Sequence, residues 1–135
     1  MPYRIEEFEH LEPADRERLL AADIRTTGEL IQACSTPEGR IEMALRTGLD
    51  PERLLRLVHL ADLMRIDGVG RQYAELLGES GVETVEVLRT ASPGELAEAV
   101  REVNREKRLS KTTPSTETIG RWVWDARDMT PRVFL

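Results

Sequence analysis

Gly68, Val69 and Gly70 form the stretch of this 135-residue chain whose residue types and spacing could bind a ligand in a defined way. Two glycines around one apolar residue let the backbone reverse within very few residues, because glycine tolerates left-handed and crowded dihedrals cheaply. We expect Val69 to point inward, and the missing side chains leave the first amides of the next helix open. Helix N-termini favour anions such as phosphate, and Arg71 adds positive charge. The tripeptide thus predicts a phosphate-binding turn, although a plain turn between packed helices fits it equally well.

Further basic side chains that could join this turn lie before and after it in the chain. Arg65 precedes the turn, and the only basic cluster follows it as Arg101, Arg105, Lys107, Arg108 and Lys111. Acidic residues accompany the cluster at helical spacing, as they do on any solvated helix. The predicted nucleic-acid-binding residues are Arg65, Gly68, Val69, Gly70, Arg71, Arg108 and Lys111.

The helix predicted over 116–128 carries a second candidate surface on its outer stripe. That stripe contains Arg121, Trp124 and Arg127, and an indole between two guanidinium groups could stack on a base or anchor a protein partner. The alternative is that the chain folds back over Trp124, for example through the tail 131–135. We expect this alternative, because exposed tryptophan is uncommon in monomers.

The sequence predicts neither catalysis nor a metal site. Cys34 is the single cysteine, and His10 and His59 are the only histidines, too few for structural zinc or a disulfide framework. No nucleophile is paired with a base, and no Walker-type phosphate loop is present. The polar stripe predicted for the helix 52–64 consists of Arg53, Arg56, His59 and Asp62. We therefore expect a solvated His59, no cofactor, no bound metal and no enzymatic activity.

Charge and hydropathy restrict the function further. A formal net charge of −6 argues against a protein that coats nucleic acid, because non-specific affinity comes from Lys and Arg at phosphates. Residues 1–64 hold 8 arginines against 13 acids, whereas residues 65–135 hold 11 basic residues against 12 acids, so the glycine turn lies in the less acidic half. No run could span a membrane, and the acidic N-terminus does not resemble a signal peptide. These features predict a cytoplasmic protein.

The elements that must position these residues all read as helices. Apolar residues recur at spacings of three and four, and nothing alternates as a strand would. Thr26 and Ser92 begin capping-box patterns, and Thr36 and Asp50 precede prolines suited to a first helical turn. Gly48 and Gly81 stand where helices would stop. The predicted fold class is all-α.

The chain also matches itself at two shifts. A shift of 58 aligns residues 8–30 with 66–88, and a shift of 65 aligns 52–64 with 117–129. This pattern predicts two tandem repeats, 5–65 and 66–131, in one compact domain, with about seven extra residues near 100–111. In the first repeat His10 and Glu12 occupy the two glycine positions. A carboxylate there would repel phosphate, so we expect the first hairpin to have lost any phosphate contact.

At Gly68–Gly70 and the following Tyr73-Ala74-Glu75-Leu76-Leu77 the sequence resembles the helix-hairpin-helix module, which binds the DNA backbone without reading bases. From Ile5 to about Arg132 the chain also resembles an uncharacterised, mainly prokaryotic family built of two such units. This second resemblance rests on the segments 36–40, 61–66, 68–70, 73–77, 103–104 and 114–115. It implies the fold and no settled activity, since fold alone does not confer function. The family usually carries glycines in the first hairpin as well, so His10 and Glu12 are departures from its pattern.

Three hypotheses follow from the sequence. The first is a non-catalytic module that binds DNA independently of sequence, with the hairpin glycines and Arg71 as its centre. The second is a protein-interaction adaptor that presents Trp124 or the acidic first half, and it agrees better with the net charge. The third, an enzyme, has no supporting constellation of residues. We adopt the DNA hypothesis, keep the adaptor as the alternative, and note that duplicated helical units can also form homo-oligomers.

Overall fold

The computed structural model describes residues 3–7 and 11–135, and all its regular elements there are helical. A short 3-10 helix, Ile5–Glu7, precedes eight α-helices. These are α1 (Pro13–Ala21), α2 (Thr27–Cys34), α3 (Pro37–Thr47), α4 (Pro51–Leu63), α5 (Arg71–Glu79), α6 (Val85–Leu88), α7 (Pro93–Lys107) and α8 (Thr116–Ala126). The predicted all-α class is confirmed.

Most of the predicted helix boundaries have the expected caps. Thr26 and Glu29 form a complete capping box at α2, and the side chains of Thr36 and Asp50 cap α3 and α4. Gly48 ends α3 in a left-handed conformation with φ of 79°. The predicted capping box at Ser92 is wrong, because its side chain makes no cap hydrogen bond. The chain enters α7 with φ of −82° and ψ of 119° at Ser92, against −133° and 161° at Thr26, so the backbone before the two helices differs.

Helix α4 lies at the centre of the packing. It contacts α2, α3 and α5, while α8 packs on α6 and α7, and α5 also packs on α7. Leu54, Val58 and Ala61 of α4 are buried, as are Ile119, Trp122 and Ala126 of α8. A single core therefore runs through both halves of the chain. The predicted unit boundary between residues 65 and 66 stays a prediction.

The C-terminal tail connects the second half of the chain to the first. Val133 is buried, and the Phe134 N–H donates to the Ser35 carbonyl at 2.8 Å. The buried Arg40 guanidinium donates to the Phe134 carbonyl at 2.7 Å and to the Cys34 carbonyl at 3.0 Å. The tail thus packs at the junction of α2 and α3, away from the outer face of α8.

Asp62 departs from the predicted outer stripe of α4, because it is buried with 1% of its surface exposed. One carboxylate oxygen accepts the Val85 N–H at the start of α6 at 2.9 Å, and the other accepts Arg65 at 2.8 Å. The start of α6 covers this position of α4, and the spacing of polar residues along a single helix does not reveal such a contact.

Candidate functional site

The hairpin between α4 and α5 has the geometry expected of Gly68, Val69 and Gly70. Gly68 has φ of 91°, which an L side chain rarely adopts, and Val69 is fully buried. Gly70 is extended, with φ of −90° and ψ of −173°, and precedes α5 without any side-chain cap. A Cβ at Gly70 would meet no atom within 4 Å. Glycine is thus required by the backbone at Gly68, whereas at Gly70 it leaves open space before the amides of α5.

Trp122 of α8 supports the hairpin from beneath. A Cβ at Gly68 would lie 3.4 Å from Trp122 Nε1, and the Trp122 ring packs on Tyr73 with centroids 5.5 Å apart. Trp122 is almost completely buried. The hairpin is therefore held by a rigid aromatic pair rather than by the loop alone.

A cleft of about 560 Å³ opens beside the hairpin. The hairpin and α5 line it, together with the linker 108–115, the N-terminal segment and the end of α4, through Gly68, Gly70, Arg71, Gln72, Tyr73, Ser110, Thr112, Tyr3, Glu7 and Met64. Tyr73 Oη lies 2.9 Å from Thr112 Oγ1, which fixes the linker next to α5. Lys111 stands between two lining residues and is exposed.

The arginines predicted to bind phosphate are already engaged in ion pairs. Arg71 contacts Glu75 at 2.6 Å, and its side chain is only 15% exposed. Arg65 contacts the buried Asp62 at 2.8 Å. These carboxylates offset much of the charge that the arginines bring to the hairpin. Lys111, by contrast, has no ion-pair partner among the described residues.

The structure brings only some of the predicted residues together. Gly68, Gly70 and Arg71 line one cleft and Lys111 borders it, while Val69 is buried beneath the turn. Arg65 points to Asp62 instead. Arg108 is exposed in a left-handed conformation at the end of α7. The preceding Lys107 contacts Glu79 at the C-terminal end of α5, so Arg108 lies away from the hairpin.

Sequence reasoning missed Tyr3, Ser110 and Thr112 as lining residues of the cleft. All three reach the hairpin through contacts between distant parts of the chain; Tyr3 Oη, for example, donates to the Val69 carbonyl at 3.4 Å. One signal could have pointed to the linker. The insertion predicted near 100–111 overlaps the end of α7 and the start of the linker 108–115, which is longer than the connection 48–50 between α3 and α4.

Trp124 is exposed, so the expectation that the chain folds over it is wrong. Its exposed fraction is 65%, and the Arg127 guanidinium stacks 4.9 Å from its ring centroid. Arg121 is exposed on the same stripe. The tail that could have covered the indole is bound instead at Ser35 and Arg40.

His59 is not the solvated histidine that the sequence suggested. It lies in a second cleft, of about 410 Å³, between α4 and α5, and its side chain is 13% exposed. Its Nδ1 is 3.4 Å from Glu83 Oε2. Burial lowers the pKa of His59, and the carboxylates of Glu83 and Asp62 only partly oppose this effect.

Cys34 and the first hairpin complete the predicted sites. Cys34 is buried, and burial raises the pKa of its thiol to about 11. Within residues 3–7 and 11–135, no group of His, Cys, Asp and Glu could hold a metal ion.

In the first hairpin, Glu12 is exposed and precedes α1 without a cap hydrogen bond, whereas His10 lies outside the described residues.

These features define a compact all-α protein whose most distinctive surface is a glycine hairpin. Residues 9–129 match the family model described as Domain of unknown function (DUF4332), and the chain belongs to this family. The predicted membership of an uncharacterised family is thereby confirmed. No curated protein and no solved structure matches the chain. Among the described helices, none has the length and apolar character needed to cross a membrane; the cytoplasmic location stays a prediction.

Proposed function

We propose that this chain is a non-catalytic helix-hairpin-helix protein that binds the backbone of DNA through the second hairpin, without reading bases. One observation carries the proposal: α5 begins at Gly70 with no side-chain cap, and this end opens into the cleft beside Lys111. Uncapped amides and the helix dipole together favour a phosphate oxygen. The left-handed Gly68 and the buried Val69 hold the turn in place for such a contact.

The spacing of the helices supports the tandem arrangement that the proposal assumes. Helices α1 and α5 begin 58 residues apart and also end 58 residues apart, and α4 and α8 begin 65 residues apart. The contacts of α2 with α4 and of α3 with α4 recur as α6 with α8 and α7 with α8. In this arrangement Glu12 takes the place of Gly70, so only the second hairpin would accept an anion.

The ion pairs of the site limit how tightly it can bind. Lys111 stands between the lining residues Ser110 and Thr112 and has no ion-pair partner in the described chain, while Arg71 is paired with Glu75. We therefore expect contact with one or two phosphates, which corresponds to a slope of about −1 to −2 in log K against log salt. Binding should be weak at moderate salt and clear at low salt.

The test is an anisotropy titration of labelled double-stranded and single-stranded DNA, at low and moderate salt, with Gly70→Glu beside the wild type. The new side chain has free space, and its carboxylate copies Glu12 of the first repeat, so the fold should persist. Gly94→Glu is the matched control, because Gly94 also has free space and stands in the first turn of α7.

Salt-sensitive binding that Gly70→Glu abolishes and Gly94→Glu preserves would support the proposal. Absence of binding by the wild type at low salt would contradict it, as would equal affinity of the two variants. Reversal of Arg71 is a poorer test, because the loss of its contact with Glu75 would disturb α5 itself.

A second candidate function is a protein-interaction module. It is favoured by the exposure of Trp124, over which Arg127 is stacked in the described structure. Tryptophan and arginine are the residues most enriched at the energetic centres of protein interfaces. This surface lies on α8 and shares no residue with the hairpin cleft.

A further inference from the structure

Helix α8 lacks a neighbour that its counterpart α4 has. Helix α4 packs on α2, α3 and α5, whereas α8 packs on α6 and α7, the counterparts of α2 and α3, and meets α5 through the ring contact of Trp122 with Tyr73. Among the described residues, no helix lies on α8 in the way that α5 lies on α4. Trp124 and Arg121 occupy the positions of His59 and Arg56, which line the cleft between α4 and α5. The exposed stripe of α8 is therefore the face that a helix of the α5 type would cover.

Helix α1 shows the complementary gap. Helix α1 is the counterpart of α5. In the described residues, the element that precedes it and packs on it is the short helix Ile5–Glu7, where α5 has the long helix α4. The face of α5 that lines the cleft with α4 includes Ala74, Glu75, Gly78 and Glu79. At a shift of 58, Glu75 and Glu79 correspond to Glu17 and Ala21 of α1, both of which are exposed.

We propose that the exposed stripe of α8 in one molecule binds the exposed face of α1 in a second copy of the same chain, and thereby repeats between molecules the contact that α4 and α5 make within one. Helices α4 and α5 already make this contact within one molecule, and α8 and α1 expose the corresponding faces on its surface. The inference rests on the second candidate function and is independent of DNA binding. The proposal names a second copy of the chain as the partner in that function.

Charge favours this pairing of faces. The side chains of Glu6, Glu7, Glu12 and Glu17 are exposed around the Ile5–Glu7 turn and α1, and of these four only Glu7 forms an ion pair within the described residues, with Arg4. Arg121 and the C-cap residue Arg127 stand on either side of Trp124, with Glu117 one turn before Arg121 and with Asp125 and Asp128 next to Trp124 and Arg127 in the chain. The indole would supply the desolvated centre and the two guanidinium groups would meet the acidic edge.

The resulting interface joins two different surfaces. Such a heterologous contact leaves one free face at each end, so copies add until a ring closes or a filament grows. Pairing of α8 with α8 around a two-fold axis would instead stop at a dimer. The two arrangements can be separated by variants that block one face at a time.

Sedimentation equilibrium from about 10 µM to about 1 mM tests the proposal on the full chain. The wild type should show an average mass that rises with concentration above the 15.3 kDa of one chain. Trp124→Glu blocks the α8 face and Ala21→Arg blocks the α1 face, and both sites are exposed, so the fold should persist. Each variant alone should stay monomeric, while an equimolar mixture should form a dimer of about twice the monomer mass and no larger species.

Leu45→Glu is the control, because Leu45 is a highly exposed apolar residue on α3 and should leave the assembly unchanged. A wild type that stays monomeric across the whole range would overturn the proposal. So would an Ala21→Arg variant that dimerises by itself, which indicates pairing of α8 with α8. Gly70→Glu should assemble like the wild type, so loss of DNA binding and loss of assembly are separately visible.

Discussion

Asp62 shows how a single buried side chain joins several parts of this structure. Its carboxylate accepts hydrogen bonds from the first amide of α6, in a buried contact, and from the guanidinium of Arg65, in a partly buried one. The helical period of α4 placed the residue among polar positions, as a charged side chain would be on average. Only the packing of α6 on this end of α4 turns that position into an interior one, and such packing depends on residues more than 20 positions away.

Asp62→Ala should therefore lower the free energy of unfolding by about 3 kcal/mol, because it leaves the Val85 amide and Arg65 without their acceptor. Asp62→Asn should cost less, since an amide oxygen can still accept the Val85 N–H. Urea denaturation measures both values. Asp67→Ala, at an exposed site, is the control and should change stability by less than about 0.5 kcal/mol. A similar loss in Asp62→Ala and Asp67→Ala would show that the buried contacts contribute little.

His59 predicts a pH dependence of stability. Its pKa is lowered in the folded state, first by burial and also by Arg40, against the opposing carboxylates of Glu83 and Asp62. The unfolded state therefore takes up the proton first, and stability falls as the pH drops below about 6.5 toward the folded pKa. Above that range both states are neutral and His59 contributes no dependence.

Comparison of wild type and His59→Gln by thermal denaturation at pH 7.5 and pH 5.5 measures this effect. The wild type should lose more stability than the variant between the two values, because glutamine does not titrate. An equal loss in both proteins would assign the acid sensitivity to other groups.

At the scale of elements, the caps and stop signals explain why the helices could be predicted with little error. Thr26, Thr36 and Asp50 act through residues two or three positions away, so their effect is contained in the local sequence. Ser92 has the same local pattern but makes no cap hydrogen bond, and its backbone dihedrals differ from those of Thr26. Local patterns thus predict where a helix begins more reliably than how its first amides are satisfied.

The two capping sites give a direct comparison. Thr26→Ala should lower the free energy of unfolding by about 1 kcal/mol, because it removes the hydroxyl that accepts the Glu29 N–H. Ser92→Ala should change it by less than about 0.5 kcal/mol, since no cap hydrogen bond is lost. Chemical denaturation of both variants decides the matter. Equal losses would mean that Ser92 caps α7 in solution.

At the scale of the whole molecule, helix α4 belongs to both halves of the chain. It packs on α2 and α3 before it and on α5 after it, and the tail returns from α8 to the end of α2. The periodicity predicted each helix but not these long-range contacts. The place of the linker 108–115 beside Gly70, and of Arg40 beneath Phe134, follows from pairing between residues far apart in the sequence. This is why the hairpin of the candidate site could be predicted and most of its surrounding cleft could not.

The shared helix predicts that the two units do not fold separately. Peptides covering 1–65 and 66–135 should each show much less helix by circular dichroism than the intact chain, because 1–65 loses the packing of α4 on α5 and the contacts of the tail, and 66–135 loses α4 itself. The intact chain should unfold in one cooperative transition. A stable, cooperatively unfolding fragment would instead identify the units as independent domains.

The fluorescence of Trp122 can report on binding at the hairpin. Its indole lies next to Gly68 and packs on Tyr73. Excitation energy absorbed by Tyr73 can therefore pass to Trp122, whose emission depends on the electric field at the turn. In a Trp124→Phe background Trp122 is the only indole left in the chain. An anion held at Gly70 would then shift or quench its emission without any attached label, whereas a molecule bound elsewhere would leave the spectrum unchanged.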